Sequence, residues 1–386
     1  MIVKNEEAII DRCIQSVLPF ANEIIINDTG STDRTLERIS QYSGIQLLQS
    51  EWKDDFSYSR NLCLENVQSD WVLSIDADET VPNDFGEHVR PYLQKDIDGY
   101  LLTLVNHQTE GELITTIPHK LLRLFKSKPA YRFQGTIHEQ ISPSILHAGG
   151  RIEEAALYID HFGYSEKSEQ KYIRNSLLLN QQLKKRPNDP YLWYQLGTMH
   201  FGSANFSEAI DAYNSALIYE DAQFPYDTLF TLHIRMAQCF LALTRYKEAE
   251  EMIQIALFMD INNPFPYYIR ASIGFSIENY TMALENLEKV QRANKGLWKI
   301  NDYQIEMDFG NAYYKQEMYD RALSYYTEAL KQKPNSETAC YNLGNCFLKM
   351  QMPKEAKEMY TWALTYNPEF QMAKENLGYI DQQLGV

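Results

Sequence analysis

The chain has little of what would place it outside the cell, across a membrane or on nucleic acid. Its five cysteines, Cys13, Cys63, Cys239, Cys340 and Cys346, are odd in number and scattered, with no Cys-x-x-Cys pair. A disulfide framework is thereby excluded, and reduced, packed thiols are expected. No apolar run approaches the ~20 residues of a membrane span, and no signal peptide is recognisable, so a cytoplasmic location is expected. Positive charge is scarce: 36 Lys and Arg stand against 52 Asp and Glu, for a net charge of −16. Neither nucleic acid nor an anionic membrane suits such a chain as its main partner. An anionic substrate would need local cations or a metal. At 386 residues the chain exceeds one typical core, and two or more domains are expected.

What is present centres on Trp71-Val72-Leu73-Ser74-Ile75-Asp76-Ala77-Asp78-Glu79. The apolar, partly β-branched run reads as a buried strand because it lacks polar alternation. It stops on two carboxylates two residues apart, which project from one face if the chain stays extended. No Lys or Arg lies between Ser69 and Pro82. Paired acids of this kind repel unless a cation sits between them, and hard oxygen ligands suit Mg²⁺ or Mn²⁺. The alternative is a helix N-terminus, with Asp78 and Glu79 capping the turn before Pro82.

Taken in order, Val3-Lys4-Asn5-Glu6-Glu7 is a strand end running into a helix, with Asn5 placed to cap it. Ile9, Ile10, Cys13, Ile14 and Val17 form the helix's apolar stripe, and Pro19 ends it. Three residues are too few for a full first strand, so that strand is expected to be truncated: either residues are missing upstream or the domain tolerates a stub. Glu23 to Asp28 is a second buried strand ending on an acid. A Gly30 turn with Ser, Thr and Asp caps then starts a helix through Leu36 and Ile39, and Ile45 to Leu48 is a third strand. This β-α-β-α-β rhythm predicts a parallel sheet with ligands beyond the strands' carboxyl ends. Asp28 alone would read as a helix cap, but Asp28, Asp76 and Asp78 all fall at such ends. Arg60, in the loop Glu51 to Asn61 that leads into a helix carrying Leu62, Leu64 and Val67, could hold a phosphate or fix a carboxylate, or else form a surface ion pair on a helix.

Together, Val3 to Glu7, Asn27-Asp28-Thr29-Gly30-Ser31-Thr32-Asp33, Asp55-Phe56-Ser57, Arg60-Asn61 and Asp76-Ala77-Asp78 resemble the ordered motif set of family 2 glycosyltransferases. The similarity is greatest to the branch with C-terminal helical repeats, which includes the sublancin-type peptide S-glycosyltransferases. The resemblance covers roughly the first 165 residues and implies a GT-A fold, an α/β Rossmann-like domain with a mainly parallel sheet. Farther on, Gly99 to Val105 and Lys120 to Phe125 read as strands. His138-Glu139 would lie on opposite faces of an extended segment. Tyr131 to Gln140 and Tyr158 to Tyr164 also resemble stretches of the repeat-bearing enzymes, which implies an acceptor side built from them. The same resemblance implies that His161 is a further ligand for the cation held by Asp78; read alone, His161 is a hydrogen-bonded structural residue.

The second half changes character. Gly310 recurs as Gly344, Ala322 as Ala356, Ala329 as Ala363 and Pro334 as Pro368, each 34 residues on. Ala249 and Ala283 are also 34 apart, whereas Ala209 to Ala249 spans 40 and Ala283 to Ala322 spans 39. This is the tetratricopeptide pattern, an all-α solenoid. About five repeats are expected over 191–386, two with longer linkers, closed by a capping helix from Gln371. A linker helix over 166–190 would join them to the catalytic domain at 1–165.

The function that follows is transfer of a sugar from a nucleotide-diphosphate donor, such as a UDP-sugar, with inversion as the resemblance implies. Asp78 is expected on the metal, Asp76 on the donor's ribose or the metal's water shell, and Asp28 on the base or ribose. Val3, Asn5, Glu6, Arg60 and Ala77 would line the nucleotide-sugar pocket. Glu139 is the expected base, with His138 its rival. The acceptor would be a peptide, a protein or a cell-surface glycan, and the repeats offer a homodimer contact. Two other readings remain: a non-catalytic scaffold carrying a relic domain, and a metal-dependent phosphohydrolase, which leaves the Asp28 segment unexplained.

Overall fold

The computed structural model describes residues 1–107, 115–116, 118–162, 169–219, 226–296 and 298–384. Gly163 and Tyr164, the end of the expected acceptor-side stretch, lie outside them. The chain forms two compact units divided between Cys239 and Phe240.

The first unit begins with the expected rhythm. Strand β1 (Ile2–Val3), helix α1 (Ile10–Val17), strand β2 (Ile24–Asp28), helix α2 (Thr35–Ile39) and strand β3 (Ile45–Gln49) build a parallel sheet in the order β1-β2-β3. Val3 pairs with Asp28 and Asp28 with Gln49, so these residues end the strands side by side. The sheet forms here because Ile24, Ile25 and Ile26 are β-branched and buried. Ile10, Cys13, Ile14 and Val17 of α1 join Val3, Ile24 and Ile26 in the core. Each such side chain contributes roughly 1.5–3 kcal/mol by burial.

Helix α3 (Phe56–Leu64) leads to β4 (Trp71–Leu73), β5 (Glu79–Thr80), α4 (Phe85–Leu93) and β6 (Gly99–Asn106). After the two-residue β7 (Thr115–Thr116) come β8 (Pro118–Lys126), α5 (Ser142–His147) and β9 (Ile152–His161). A second sheet takes the order β4-β8-β6-β9-β5, antiparallel except between β6 and β9. Regular pairing of β4 stops at Leu73, and the chain turns at Ala77 and Asp78 before β5. Glu79 then lies opposite His161 on β9.

Helix α6 (Glu169–Lys185) occupies the expected linker, and α7 (Pro190–Gly202) and α8 (Phe206–Ile218) form the first repeat pair. Leu178, Leu179, Leu183, Leu192 and Leu196 of these helices share a core with Ile137. The border expected at 165 therefore falls inside the first unit. The remaining pairs are α9 (Tyr226–Ala242) with α10 (Tyr246–Met259), α11 (Pro264–Ser276) with α12 (Tyr280–Ala293), α13 (Asp302–Lys315) with α14 (Tyr319–Gln332), and α15 (Glu337–Lys349) with α16 (Pro353–Tyr366). A two-residue β10 (Lys299–Ile300) precedes α13, and α17 (Gln371–Leu384) starts at the residue expected of the cap.

Each of the five pairs turns through a left-handed non-glycine residue: Ala204, Thr244, Glu278, Glu317 and Gln351, with φ of 57° to 62°. Their positions repeat the irregular spacing of the alanines. The 34-residue glycines have a packing cause, since a Cβ on Gly344 would stand 2.5 Å from the Tyr360 ring. No helix among the described residues is long and apolar enough to cross a membrane.

Candidate active site

The first loop does not use Asn5 as a helix cap. Asn5 is left-handed at φ 59°, and α1 begins only at Ile10. Instead the Asn5 side chain accepts the Thr32 N–H at 2.7 Å and its backbone N–H donates to Ser31 Oγ at 2.9 Å. Glu6 N–H donates to Thr35 Oγ1. These bonds stitch the loops after β1 and β2 together. Val3 is buried beneath them, and Asp28 is only 2% exposed. The Asp28 carboxylate accepts the N–H groups of Gly30 and Ser31 at 2.9 and 3.0 Å and the Ser31 hydroxyl. It closes the turn and presents no free oxygen pair.

The two acids after β4 diverge. Extended backbone would have put them on one face; the turn at Ala77 and Asp78 gives them separate partners. Although no cation lies near Asp76 in sequence, two arginines reach it in space. Arg60 Nη2 of α3 donates to Oδ1 at 2.7 Å, and Arg123 Nη2 of β8 donates to Oδ2 at 2.9 Å. Arg123 also holds Glu79 at 2.5 Å, and Arg60 Nε donates to Glu139. Burial would raise the Asp76 pKa, but the two guanidinium groups outweigh it and hold the carboxyl well below its ordinary range. Burial raises that of Glu79, with Arg123 opposing. Ala77 packs into the core between the two acids.

Asp78 faces the other way. Its Oδ2 lies 3.1 Å from His161 Nε2, while His161 Nδ1 lies 2.7 Å from Asn106 Oδ1. The Phe162 N–H donates to the Asp78 carbonyl at 2.9 Å and fixes the turn. Burial would lower the His161 pKa, but the Asp78 hydrogen bond and charge raise it. The Asp78 and His161 side chains are 32% and 29% exposed, against 2% for Glu79, so this pair is open to a ligand. One carboxylate and one imidazole suit Mn²⁺ better than Mg²⁺. No cluster of three or more acidic, Cys or His side chains among the described residues is arranged to hold an ion. Substrate oxygens and water would complete such a site.

His138-Glu139 sits in a loop rather than a strand. Gln134 and Gln140 exchange backbone bonds of 2.9 and 3.0 Å, and Gly135 and His138 are both left-handed, at φ 105° and 52°. The two side chains therefore do not alternate across a strand. Burial pushes the His138 pKa down to about 4, leaving a neutral ring near pH 7. The Phe56 N–H donates to Thr136 O at 2.9 Å, and Gln182 Nε2 of α6 donates to Ile137 O at 3.1 Å, so the loop is braced from two helices.

Arg123 and Asn106 were not singled out from the sequence, and Glu79 entered there only as a helix cap. Arg123 left a trace, a lone cation inside the apolar run Leu121-Leu122-Arg123-Leu124-Phe125. A cavity of about 510 Å³ in this unit is lined by Ile24, Ile25, Cys63, Trp71 and Phe85, with Arg60 and Ser74 also on its wall.

Residues 1–147 match the model of glycosyl transferase family 2, and residues 313–377 that of the tetratricopeptide repeat. The first 147 residues are a family 2 glycosyltransferase domain. The chain is similar to the SPbeta prophage-derived glycosyltransferase SunS of Bacillus subtilis, with 25% identity over 303 residues, 74% of this chain and 69% of that one. A TPR repeat-containing protein of Synechococcus elongatus is 32% identical over 209 residues, 51% of this chain. The match spans half the length of that relative. Among solved structures, YrrB, described as a TPR protein with an unusual peptide-binding site, covers 52% of this chain at 20% identity with a TM-score of 0.40. Asp78 lies within the matched glycosyltransferase span, and its partner His161 lies 14 residues beyond the end of that span at 147.

Proposed function

We propose that the chain is a metal-dependent inverting glycosyltransferase moving a sugar from a nucleotide-diphosphate donor, such as a UDP-sugar, to a peptide or protein acceptor. The observation that carries this reading is the open Asp78 and His161 pair, set one turn beyond the Arg60-linked carboxylates Asp76 and Glu139. Asp78 and His161 would hold Mn²⁺ or Mg²⁺, which when bound neutralises charge on the departing diphosphate. The stitched loops at Asn5, Glu6 and Asp28 line the nucleotide pocket through their backbone, with Val3 beneath. Asp76, locked by two arginines, fixes the turn that aims Asp78.

Direct displacement needs the acceptor's proton removed as its oxygen or sulfur attacks the anomeric carbon. Arg60 engages one Glu139 oxygen, and the other takes that proton. Neutral His138 is the rival base. A peptide or protein acceptor is favoured over a cell-surface glycan because α6 and the first repeat pair brace the Glu139 loop directly.

The test is donor hydrolysis by purified protein against a panel of UDP-, GDP- and TDP-sugars with Mn²⁺ or EDTA. Metal-dependent nucleotide release from one donor, abolished by Asp78→Asn, is the expected result. The engaged Asp28 carboxylate favours a second reading, a non-catalytic repeat scaffold. Silence across the panel, together with no thermal stabilisation by UDP and Mn²⁺, would establish that scaffold instead.

A further inference from the structure

We propose that Asn106 is the residue that positions His161 as a metal ligand, with His119 fixing Asn106 in turn. The inference rests on the reading of Asp78 and His161 as the metal pair.

His161 ends β9 and stands in register with Asn106 at the end of β6. The neighbouring His107 N–H donates to the His161 carbonyl at 2.8 Å, so the backbone under the imidazole is fixed. An amide oxygen only accepts, and Asn106 Oδ1 lies 2.7 Å from His161 Nδ1. The proton between them therefore belongs to Nδ1. That leaves Nε2, 3.1 Å from Asp78 Oδ2, as the nitrogen whose lone pair meets a cation entering beside Asp78.

An asparagine amide can turn over and offer its NH₂ instead, which would reverse this assignment. The structure sets Asn106 Nδ2 3.0 Å from His119 Nδ1, and an amide nitrogen only donates. With His119 in the tautomer that accepts at Nδ1, Nδ2 donates to it and the oxygen faces His161. Three side chains on three adjacent strands, β8, β6 and β9, thus form one directed chain of hydrogen bonds ending at the ligand nitrogen. Partners of this kind govern metal affinity by about 10- to 100-fold when removed.

The experiment is titration of the full chain with Mn²⁺ alone, following the free ion by electron paramagnetic resonance. Wild type is compared with His161→Ala, Asn106→Leu, Asn106→Asp and His119→Ala. The expected pattern is binding by wild type, loss in His161→Ala, and affinity lowered about 10- to 100-fold in Asn106→Leu. Asn106→Asp keeps an oxygen against Nδ1 and should restore wild-type affinity to within about threefold, a rescue that a merely structural role would not give. His119→Ala, which frees the amide to turn, should fall between them and decides the matter should Asn106→Leu not fold.

Wild-type affinity in both Asn106→Leu and His119→Ala, with binding still lost in His161→Ala, would overturn the role of Asn106 and leave the metal pair standing. Failure of Asn106→Asp to rescue would overturn it as well. No binding by wild type would instead remove the metal pair itself, and this inference with it.

Discussion

Arg60 and Asp76 form a 2.7 Å ion pair between helix α3 and the turn that follows β4. The pair is one link in a chain running Glu139, Arg60, Asp76, Arg123, Glu79, in which three acids are held by two guanidinium groups. The planar fork of arginine makes this sharing feasible, because its donors diverge toward different carboxylates. The loop that carries Glu139 is thereby fastened to the turn that carries Asp78.

Removing Arg123 should be severe. Arg123→Ala leaves Asp76 Oδ2 and the buried Glu79 without their counter-charge, and a broken buried pair costs about 3–5 kcal/mol. Urea unfolding should show that loss. Arg123→Lys should recover only part of it, because both bonds come from the two N–H groups of Nη2 and a shorter lysine does not place its ammonium there.

Asp308 should make the second unit less stable as pH rises. Burial lifts its pKa to about 6, although Tyr268 donates to it at 2.7 Å and Gln304 at 3.0 Å. Its unfolded value is near 3.9, so between about pH 4 and 6 the folded state holds the proton more tightly. Stability is then greatest below about pH 4 and falls by roughly 2–3 kcal/mol by pH 7. Asp308→Asn should flatten that slope and raise the pH 7 unfolding midpoint. Asp76 has the opposite sign: its contribution is complete above about pH 4 and is lost as acid approaches its depressed folded value.

Thr244→Gly should stabilise. Thr244 is exposed and β-branched at φ 57°, a conformation costing roughly 1–2 kcal/mol for a residue with a Cβ. Glycine returns about 0.5–1 kcal/mol of that through its looser unfolded chain. A net gain of about 0.5–1 kcal/mol in chemical denaturation is expected.

A chain ending at residue 165 should fold poorly, whereas one ending at 219 should retain a cooperative transition. The shorter chain strips Leu178, Leu179, Leu183, Leu192 and Leu196 from Ile137 and exposes the base of the Glu139 loop. Differential scanning calorimetry of the two would separate them.

The parallel strands, the stripe of α1 and the repeat pairs were legible because each rests on local periodicity. Ile24 to Ile26 is continuous and apolar, and the alanines at helix crossings recur at set intervals. The neutralisation of Asp76 was not legible. It depends on the antiparallel register that sets Leu73 against Leu124 and so brings Arg123 beside the turn, and periodicity carries no register between distant strands. The cap reading of Asn5 failed for a related reason: its partner Thr32 belongs to another loop. The spatial pairing of Asp78 with His161 followed only from the family resemblance, since 83 residues separate them.

The left-handed turns have a consequence for how this array accepts change. All five pairs keep the same backbone bend, yet successive bends are 40, 34, 39 and 34 residues apart. The added residues therefore fall between the bends and not at them: α9 is longer than α11, and the connection before α13 is longer than the one before α15. A surface epitope grafted into those connections should leave each hairpin in phase, while a single residue inserted at Glu317 or Gln351 would rotate the second helix off its tyrosine and glycine contact.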